Sequence, residues 1–178
     1  MQKLATLLEN NQIDVKEFEL LLTQTLLLTL FEKICTDFKG DPSKKTKFLN
    51  TIRANNNEPI VIKNYCYKHY NVSLDLEYAT LLYTWILCFF RKKPSRLTYP
   101  IEVKEQLLKQ QKYSCKCCNE KISIANSHLD HIIPWTYVGD ELANNLEMLC
   151  TDCNSSKNKS ISYLFLNCIM RKKEAYIA

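Results

Sequence analysis

The first 95 residues carry apolar side chains at helical spacing, in blocks separated by polar and turn-forming residues. The longest block begins after Asp14, a residue type favoured at helix N-termini, and ends at Gly40. A second helix is predicted to start with Pro42 at its first position. Two more are predicted to follow, one on each side of a turn near Asn71. The pattern therefore predicts a helical domain over residues 1–95.

The pattern changes after residue 95 and mixes helical with strand-like segments. The predicted elements are a helix over 101–111, strands over 128–133 and 146–149, a helix opening at 151 and a closing helix over 161–175. We therefore expect an α+β fold, in which a mainly helical N-terminal domain precedes a small module over residues 96–178 that ends in a C-terminal helix. The basic run from Arg91 to Arg96, which contains the helix breaker Pro94, is predicted to link the two. This basic run is either a solvated hinge or a segment whose side chains contact nucleic-acid phosphate.

Composition and charge narrow the class of protein. The chain has 178 residues, of which 46% are hydrophobic, and this share is ordinary for a globular protein. Its formal net charge of +5 permits a nucleic-acid partner without demanding one. Two glycines, Gly40 and Gly139, are too few for a glycine-rich nucleotide-binding loop. The candidate chemistry is therefore not that of a phosphate-cradling loop.

Nine cysteines are a high count, and the N-terminal residues lack the basic, apolar and small-residue pattern of a secretory signal. We therefore expect an intracellular, cytoplasmic protein with reduced thiols. The longest apolar blocks, residues 20–31 and 78–90, are shorter than the roughly 20 residues that span a bilayer. No membrane association is predicted. Four cysteines lie in apolar helical surroundings and are predicted to be buried thiols: Cys35, Cys66, Cys88 and Cys168.

Two Cys-x-x-Cys pairs lie 31 residues apart in the second half of the chain. They are Cys115 with Cys118 and Cys150 with Cys153. Four thiolates at this spacing are typical of a closed structural zinc site, which leaves no open position for water. Cys117 is a competitor of Cys118 for the ligand role, but the two-residue spacing favours Cys118 and leaves Cys117 spare. Residues 112–160 supply few large apolar groups, and a structural zinc contributes an apparent ~10–16 kcal/mol in small metal-folded peptides. We therefore expect zinc to decide whether the module folds.

Further motifs lie between and directly after the cysteine pairs, with a glycine loop among them. They are "DHIIP" at 130–134, "NLEMLC" at 145–150 and "TDCNSSK" at 151–157. In these motifs, over about residues 100–160, the sequence resembles the HNH, or ββα-metal, nuclease family in its zinc-braced form. Asn154 stands where some members of the family have a histidine. The resemblance implies a ββα-metal fold with endonuclease activity, and it does not extend to residues 1–95.

The resemblance assigns catalytic roles to residues of these motifs. His131 is implied as the general base, and it is the candidate here whose unperturbed pKa lies near neutrality. Asp130 and Asn154 are implied as ligands of a catalytic cation, and their oxygen atoms suit Mg²⁺ or Mn²⁺ better than a second zinc. Family members with histidine in place of Asn154 bind softer metals more readily, so the identity of this cation stays open.

Three further residues are candidates for the site. The resemblance implies that Asn145 braces the loop behind His131 through backbone hydrogen bonds. Lys157 lies one helical turn beyond Asn154 on the same face, where it is a candidate for phosphate contact near the leaving group. His128 is either a surface or packing histidine or a substrate contact.

Asp130 and His131 pose a geometric problem, because adjacent residues of a regular strand point to opposite faces. Both must serve one site, so the strand is predicted to end or twist there. Pro134 close behind fits such an ending. The aromatic residues that follow, Trp135 and Tyr137, are predicted to pack the loop, with nucleic-acid contact as the alternative.

These predictions favour a metal-dependent endonuclease that hydrolyses phosphodiester bonds in DNA, with double-stranded DNA as the favoured substrate and RNA left open. The resemblance implies products with 5′-phosphate and 3′-hydroxyl ends. Restriction, phage defence or a mobile element is a fitting setting, with residues 1–95 serving dimerisation, partner docking or DNA positioning. The alternative is a non-catalytic zinc-stabilised module that binds nucleic acid or protein. Such a module has no need of Asp130, His131 and Asn154.

Overall fold

The structure is a computed structural model that describes residues 14–93 and 95–157. The first half of this described chain is helical, as predicted. Its helices are α1 (Val15–Gly40), α2 (Pro42–Arg53), α3 (Glu58–Tyr70) and α4 (Leu76–Phe90). The predicted closing helix over 161–175, which contains Cys168, lies outside the described residues.

Capping groups explain where these helices begin and end. The carboxylate of Asp41 accepts hydrogen bonds from the amides of Ser43 at 2.9 Å and Lys44 at 3.3 Å, at the start of α2. Pro42 occupies the first turn of α2, where its missing N–H costs no helical hydrogen bond. Asn71 ends α3 in the left-handed conformation, with φ 55°, and so forms the predicted turn before α4.

One apolar core joins the four helices. Its buried side chains include Phe31 and Ile34 of α1, Phe48 of α2, Ile62 of α3 and Ile86 of α4. Cys35, Cys66 and Cys88 are buried in this core, as predicted, and burial raises the pKa of each thiol, to about 12 for Cys66. None of the helices in the described ranges has both the length and the apolar character that a bilayer span requires.

The second half contains a two-stranded antiparallel sheet among short helices, which confirms the predicted α+β class. Its elements are α5 (Ile101–Gln110), a 3-10 turn (Ile124–Asn126), β1 (Ser127–His131), α6 (Trp135–Val138), β2 (Leu146–Cys150) and α7 (Thr151–Lys157). The strands pair from Ser127 opposite Cys150 to His131 opposite Leu146. Helix α7 packs against both strands.

Strand β1 ends at His131, two residues earlier than predicted. The strand pairing stops here because the backbone amide and carbonyl of Ile133 both hydrogen-bond to the side chain of Asn145. Neither group is then available for pairing with a neighbouring strand. The chain then bends before Pro134, which precedes α6. The sheet is therefore short, and its last residue is the predicted general base.

The segment between the two strands packs against the helical core. Ile133 and Val138 belong to the same buried cluster as the four helices. The ring of Tyr137 lies 5.9 Å from that of Phe31, and the Lys39 ammonium lies 4.7 Å from the centre of the Tyr137 ring. Tyr137 therefore packs the loop rather than standing free on the surface.

The basic linker between α4 and α5 is tied to the same segment. Arg91 Nη1 lies 2.5 Å from Glu141 Oε2, and the Lys93 ammonium donates to the carbonyl of Phe89 at 3.1 Å. Contacts and core both cross the predicted domain boundary near residue 95. That boundary stays a prediction.

Candidate functional site

Four cysteine sulfurs converge at one end of the sheet. They belong to Cys115, Cys118, Cys150 and Cys153, and all lie within 4.8 Å of one another. Sulfurs this close are within reach of one tetrahedral metal ion. Cys117 is half-buried and is not one of the four, which agrees with the preference for Cys118 that the two-residue spacing indicates. Burial and the neighbouring sulfurs raise the pKa of Cys153, so ionised ligands here need a cation to offset their charge.

Backbone amides point at two of these sulfurs. The Cys150 amide lies 3.3 Å from the Cys115 sulfur, and the Cys153 amide lies 3.4 Å from the Cys150 sulfur. Hydrogen bonds of this kind favour the thiolate over the thiol. Asn119 closes the first turn in the left-handed conformation, with φ 60°, and its amide donates to the Cys115 carbonyl at 2.9 Å. The chain therefore presents the sulfurs in a geometry suited to a cation.

Gln111 joins this cysteine turn to β2. Its side-chain amide donates to the carbonyls of Ser114 at 3.0 Å and Met148 at 2.9 Å, and it accepts from the Met148 amide at 2.8 Å. Met148 and Leu149 are buried with Leu108 in a small apolar cluster around the cysteines. Sequence reasoning missed Gln111, because a glutamine after an amphipathic helix carries no distinctive signal.

His131 is buried at the end of β1, with 2% of its surface exposed. Its Nε2 lies 3.0 Å from Asp140 Oδ1, and its Nδ1 lies 3.5 Å from Arg96 Nη2. The Tyr99 ring stands edge-on to the imidazole, with 6.2 Å between the ring centres. The linker and the β1–β2 segment thus supply three partners that sequence analysis did not predict for this histidine.

Asp140 accepts four hydrogen bonds. Its Oδ1 accepts from the Tyr99 hydroxyl at 2.8 Å and from His131 at 3.0 Å. Its Oδ2 accepts from Trp135 Nε1 at 2.7 Å and from the Leu97 amide at 3.1 Å. Burial opposes ionisation of this carboxyl, but the four hydrogen bonds outweigh burial and lower its pKa. Asp140 is therefore a carboxylate near neutral pH.

The imidazole of His131 is neutral near pH 7. Burial is the main cause that lowers its pKa; the hydrogen bond to Asp140 acts in the opposite direction, and Arg96 lowers the pKa further. An ionised carboxylate only accepts hydrogen bonds, so Nε2 of the neutral ring carries the hydrogen and Nδ1 carries the lone pair. Arg96, which is exposed to solvent, lies over that lone pair.

Lys157 is buried on the face of the sheet that α7 covers, with 1% of its surface exposed. Its ammonium donates to the His131 carbonyl at 2.7 Å and to Glu147 at 2.5 Å, and it lies 2.9 Å from Asp130 Oδ2. Three protein oxygens surround the ammonium, so Lys157 is not placed to contact a phosphate, and that prediction is wrong. Helical spacing places Lys157 on the same face as Asn154, but it does not show that Lys157 is buried against β1.

Asp130 and Glu147 lie directly opposite each other in the two strands and share the ammonium of Lys157. Glu147 is 2% exposed, and its Oε2 is the one buried side-chain oxygen without a hydrogen-bond partner in the described part of the chain. Burial raises the pKa of Glu147, although Lys157 acts in the opposite direction. One ammonium therefore serves two carboxylates, and one buried oxygen stays unpartnered.

The predicted ligands of the catalytic cation have oxygen atoms whose lone pairs are not all used by protein donors. Lys157 engages Oδ2 of Asp130, which leaves Oδ1 for another ligand. Within 14–93 and 95–157, no residue hydrogen-bonds to the half-buried side chain of Asn154. The unpartnered oxygen of Glu147 belongs to the residue opposite Asp130 in the sheet. Such hard oxygen atoms are the ligands that Mg²⁺ and Mn²⁺ prefer, so the residues present have the donor chemistry that a divalent cation requires.

The structure does not gather the predicted catalytic residues into one cluster. The pairing is regular up to His131, so Asp130 points toward α7 whereas His131 points toward Asp140. Among the residues described, no hydrogen bond or ion pair links Asn154 to either. The strand ends at His131, but its two faces stay distinct. The hydrogen bond from Lys157 to the His131 carbonyl connects them.

Asn145 is buried, and its side chain bonds to both backbone groups of Ile133. It accepts from the Ile133 amide at 2.8 Å and donates to the Ile133 carbonyl at 2.9 Å. The Asn145 carbonyl also accepts from the Ile132 amide at 2.9 Å. These bonds join β2 to the loop behind His131, which is the geometry that a bracing role requires.

Asn145→Ala is expected to destabilise the zinc-loaded protein, because it leaves two buried backbone groups of Ile133 unpaired at roughly 1–3 kcal/mol each. Urea denaturation followed by circular dichroism measures the change. The matched control is Asn144→Gly: Asn144 is exposed and left-handed, with φ 58°, so glycine keeps its backbone conformation. Equal denaturation midpoints for the two variants would contradict the bracing role.

His128 lies three residues before His131 and is exposed on β1. Its Nε2 is 3.4 Å from the Thr151 hydroxyl. Among the described residues, no hydrogen bond joins His128 to His131 or to the partners of His131, Arg96 and Asp140. Substrate contact by His128 stays a prediction. A cleft of about 310 Å³ opens beside His131 instead, between α5 and residues 142–146. Among the side chains that line it are Tyr99, Gln106, Gln110, Asp140 and Leu142.

Comparison with known proteins finds one family model that is similar to part of this site. Residues 115–160 match the family model described as HNH endonuclease, over about a quarter of the chain. The match begins at Cys115, the first of the four grouped cysteines, and includes His131 and Asn145, whereas Arg96 and Tyr99 precede it. No curated protein and no solved structure matches the chain. Residues 115–160 are therefore similar to an HNH module, and four cysteines are grouped in them as a candidate metal site.

Proposed function

We propose, from the HNH match at residues 115–160, that this chain is a metal-dependent endonuclease that hydrolyses phosphodiester bonds in DNA. The match supports nuclease activity in general. The observation that carries the finer proposal is the environment of His131, a buried neutral imidazole between a carboxylate and a guanidinium. A neutral imidazole with one unprotonated nitrogen is suited to general-base catalysis near pH 7.

In the proposed reaction, His131 Nδ1 accepts the proton of the attacking water. Nε2 is not available for this step, because it carries the hydrogen bonded to Asp140. Arg96 lies 3.5 Å from Nδ1 and faces solvent, where its guanidinium is suited to a phosphate oxygen. A phosphate held by Arg96 therefore lies beside the water that His131 activates. Arg96 takes over the phosphate contact that the sequence suggested for Lys157.

Asp130 and Asn154 are the residues that would hold Mg²⁺ or Mn²⁺. The cation would neutralise charge on the phosphoryl oxygens and the leaving oxygen. Lys157, whose ammonium also binds Glu147, holds the Asp130 carboxylate from the α7 side. The four cysteines would hold zinc as a scaffold, because a tetrahedral site of four sulfurs has no position left for water.

Arg96→Ala is expected to lower kcat/KM for DNA cleavage by roughly 10- to 100-fold, because a charge-assisted hydrogen bond contributes roughly 1.5–3 kcal/mol. Plasmid nicking rates measured over a range of DNA concentrations give the change. Lys92→Ala is the matched control, since Lys92 is an exposed cation of the same linker. An equal loss in both variants would show that linker charge alone matters, against a specific contact by Arg96.

The test of the nuclease itself uses supercoiled plasmid and the zinc-loaded full chain. We expect nicking with Mg²⁺ or Mn²⁺, no nicking with EDTA, and 5′-phosphate and 3′-hydroxyl ends by end labelling. A chain that binds the plasmid but never nicks it with either metal would support the rival function, a zinc-stabilised binding module. Adding an RNA duplex to the same reaction separates DNA from RNA as substrate.

Residues 1–95 are proposed to position the nuclease, by dimerisation, by docking to a partner protein or by contact with DNA. Restriction, phage defence or a mobile element provides a fitting setting for such a device. We propose the cytoplasm as the compartment of this protein, because a reducing environment would keep the four cysteines of the candidate metal site available as ligands. Light scattering of the full chain separates a monomer from a dimer.

A further inference from the structure

We propose that Asp140 is a positioning residue of the active site, which holds His131 in the tautomer with hydrogen on Nε2 and leaves Nδ1, the nitrogen that faces Arg96, without a hydrogen. The catalytic consequence rests on the proposed nuclease function. The tautomer itself is a property of the folded chain, so it is testable without any activity.

The four donors around Asp140 leave it only one role toward His131. Each carboxylate oxygen already accepts one hydrogen bond from another residue, from Tyr99 at Oδ1 and from Trp135 at Oδ2, and Leu97 adds a second bond to Oδ2. All of these partners donate, so the carboxyl needs no hydrogen of its own and stays ionised. His131 must then donate from Nε2 to Oδ1, across 3.0 Å.

The opposite tautomer is disfavoured on both sides of the ring. A hydrogen on Nδ1 would face the N–H groups of Arg96, and a lone pair on Nε2 would face the Asp140 carboxylate. Both contacts would be repulsive, and because only 2% of the His131 surface is exposed, bulk solvent screens them weakly. The pair of neighbours therefore selects one tautomer.

The residues that hold Asp140 come from separate parts of the chain. Leu97 and Tyr99 belong to the linker before α5, and Trp135 opens α6. The family match begins at Cys115, so the two linker residues lie outside it. The linker from the helical region thus reaches the active site through Asp140, in an arrangement that the matched module alone does not contain.

The Asp140 carboxylate is expected to affect turnover rather than DNA binding, because it contacts the general base His131 and not the phosphate. In serine proteases, replacing the carboxylate that orients the catalytic histidine by its amide lowers kcat by about 10⁴ through the wrong tautomer. We expect Asp140→Asn to lower kcat for plasmid nicking by roughly 10²- to 10⁴-fold, with KM changed less than about threefold.

The direct test is the tautomer, read from the ¹⁵N shifts of the histidine ring in the zinc-loaded full chain. The chain has three histidines, so the His131 signals are assigned by their loss in His131→Ala. The proposal expects wild-type His131 as the Nε2–H tautomer at pH 7. A wild-type ring with hydrogen on Nδ1 would overturn it, whether or not any Asp140 variant folds.

Two variants complete the test. Asp140→Asn is expected to shift His131 toward a mixture of tautomers, and Tyr99→Phe, which removes one donor but keeps the carboxylate, is expected to retain Nε2–H. A pure Nε2–H tautomer in a folded Asp140→Asn, with unchanged kcat, would overturn the positioning role. If the wild-type chain does not nick DNA, the proposed function fails while the ring spectrum still decides the tautomer.

Discussion

Cys153→Ser is expected to abolish zinc binding and to unfold the module around β1, β2 and α7. A structural zinc contributes an apparent ~10–16 kcal/mol in metal-folded peptides, which matches or exceeds the ~5–15 kcal/mol that stabilises an entire domain. The apolar cluster around the cysteines is small, and Cys153 is itself buried in it. Without the metal, burial and the neighbouring sulfurs also disfavour the thiolate of Cys153.

Zinc content by atomic emission and urea denaturation monitored by near-ultraviolet circular dichroism measure this effect. Cys117→Ser is the matched control: it removes a cysteine of the same turn that lies outside the group of four. We expect it to keep one zinc per chain and a denaturation midpoint close to that of the wild type. Full zinc occupancy in Cys153→Ser, or loss of zinc in Cys117→Ser alone, would contradict the ligand set.

His131→Ala is expected to abolish DNA nicking while the protein stays folded. Removing a general base costs roughly 10²–10⁴ in rate, and here the same change removes the partner of both Asp140 and Arg96. Single-turnover nicking of supercoiled plasmid gives the rate, and zinc content with thermal denaturation confirms the fold.

The matched control for this variant is His128→Ala, three residues earlier on the same strand. His128 is exposed and, among the described residues, has no hydrogen bond to His131 or its partners, so its loss is expected to change the nicking rate by less than about threefold. Nicking by His131→Ala at the wild-type rate would exclude this histidine as the base. Equal losses in both variants would point to a disturbed strand.

Local features of the fold were predictable from the sequence. Asp41 and Pro42 predicted the start of α2, and Asn71 the turn before α4, because caps and turns depend on neighbouring residues alone. The cysteine spacing predicted the group of four sulfurs for a similar reason, since each pair lies within one tight turn. Cys118 over Cys117 followed from the two-residue gap.

The partners of His131 were not predictable in this way. Arg96 and Asp140 lie 35 and 9 residues from it along the chain, and neither belongs to a motif with a fixed spacing. Only the folded chain brings them to one ring. Lys157 illustrates the opposite error. Helical spacing placed it correctly on the face of Asn154, but packing decides whether that face meets solvent or the sheet. The Lys157 ammonium is buried, where it binds Glu147 on β2 and Asp130 on β1.

The central claim is that a divalent cation on Asp130 and Asn154 and the imidazole of His131, although Asp130 and His131 point to different faces of β1, act on one phosphate at the end of that strand. Anomalous diffraction at the manganese edge tests it most directly, with crystals of the zinc-loaded chain grown with Mn²⁺ and a nicked duplex. The account predicts one manganese ion bonded to oxygens of both ligands, with the 5′-phosphate between it and His131 Nδ1. Manganese bound elsewhere, or a phosphate remote from His131, would contradict it.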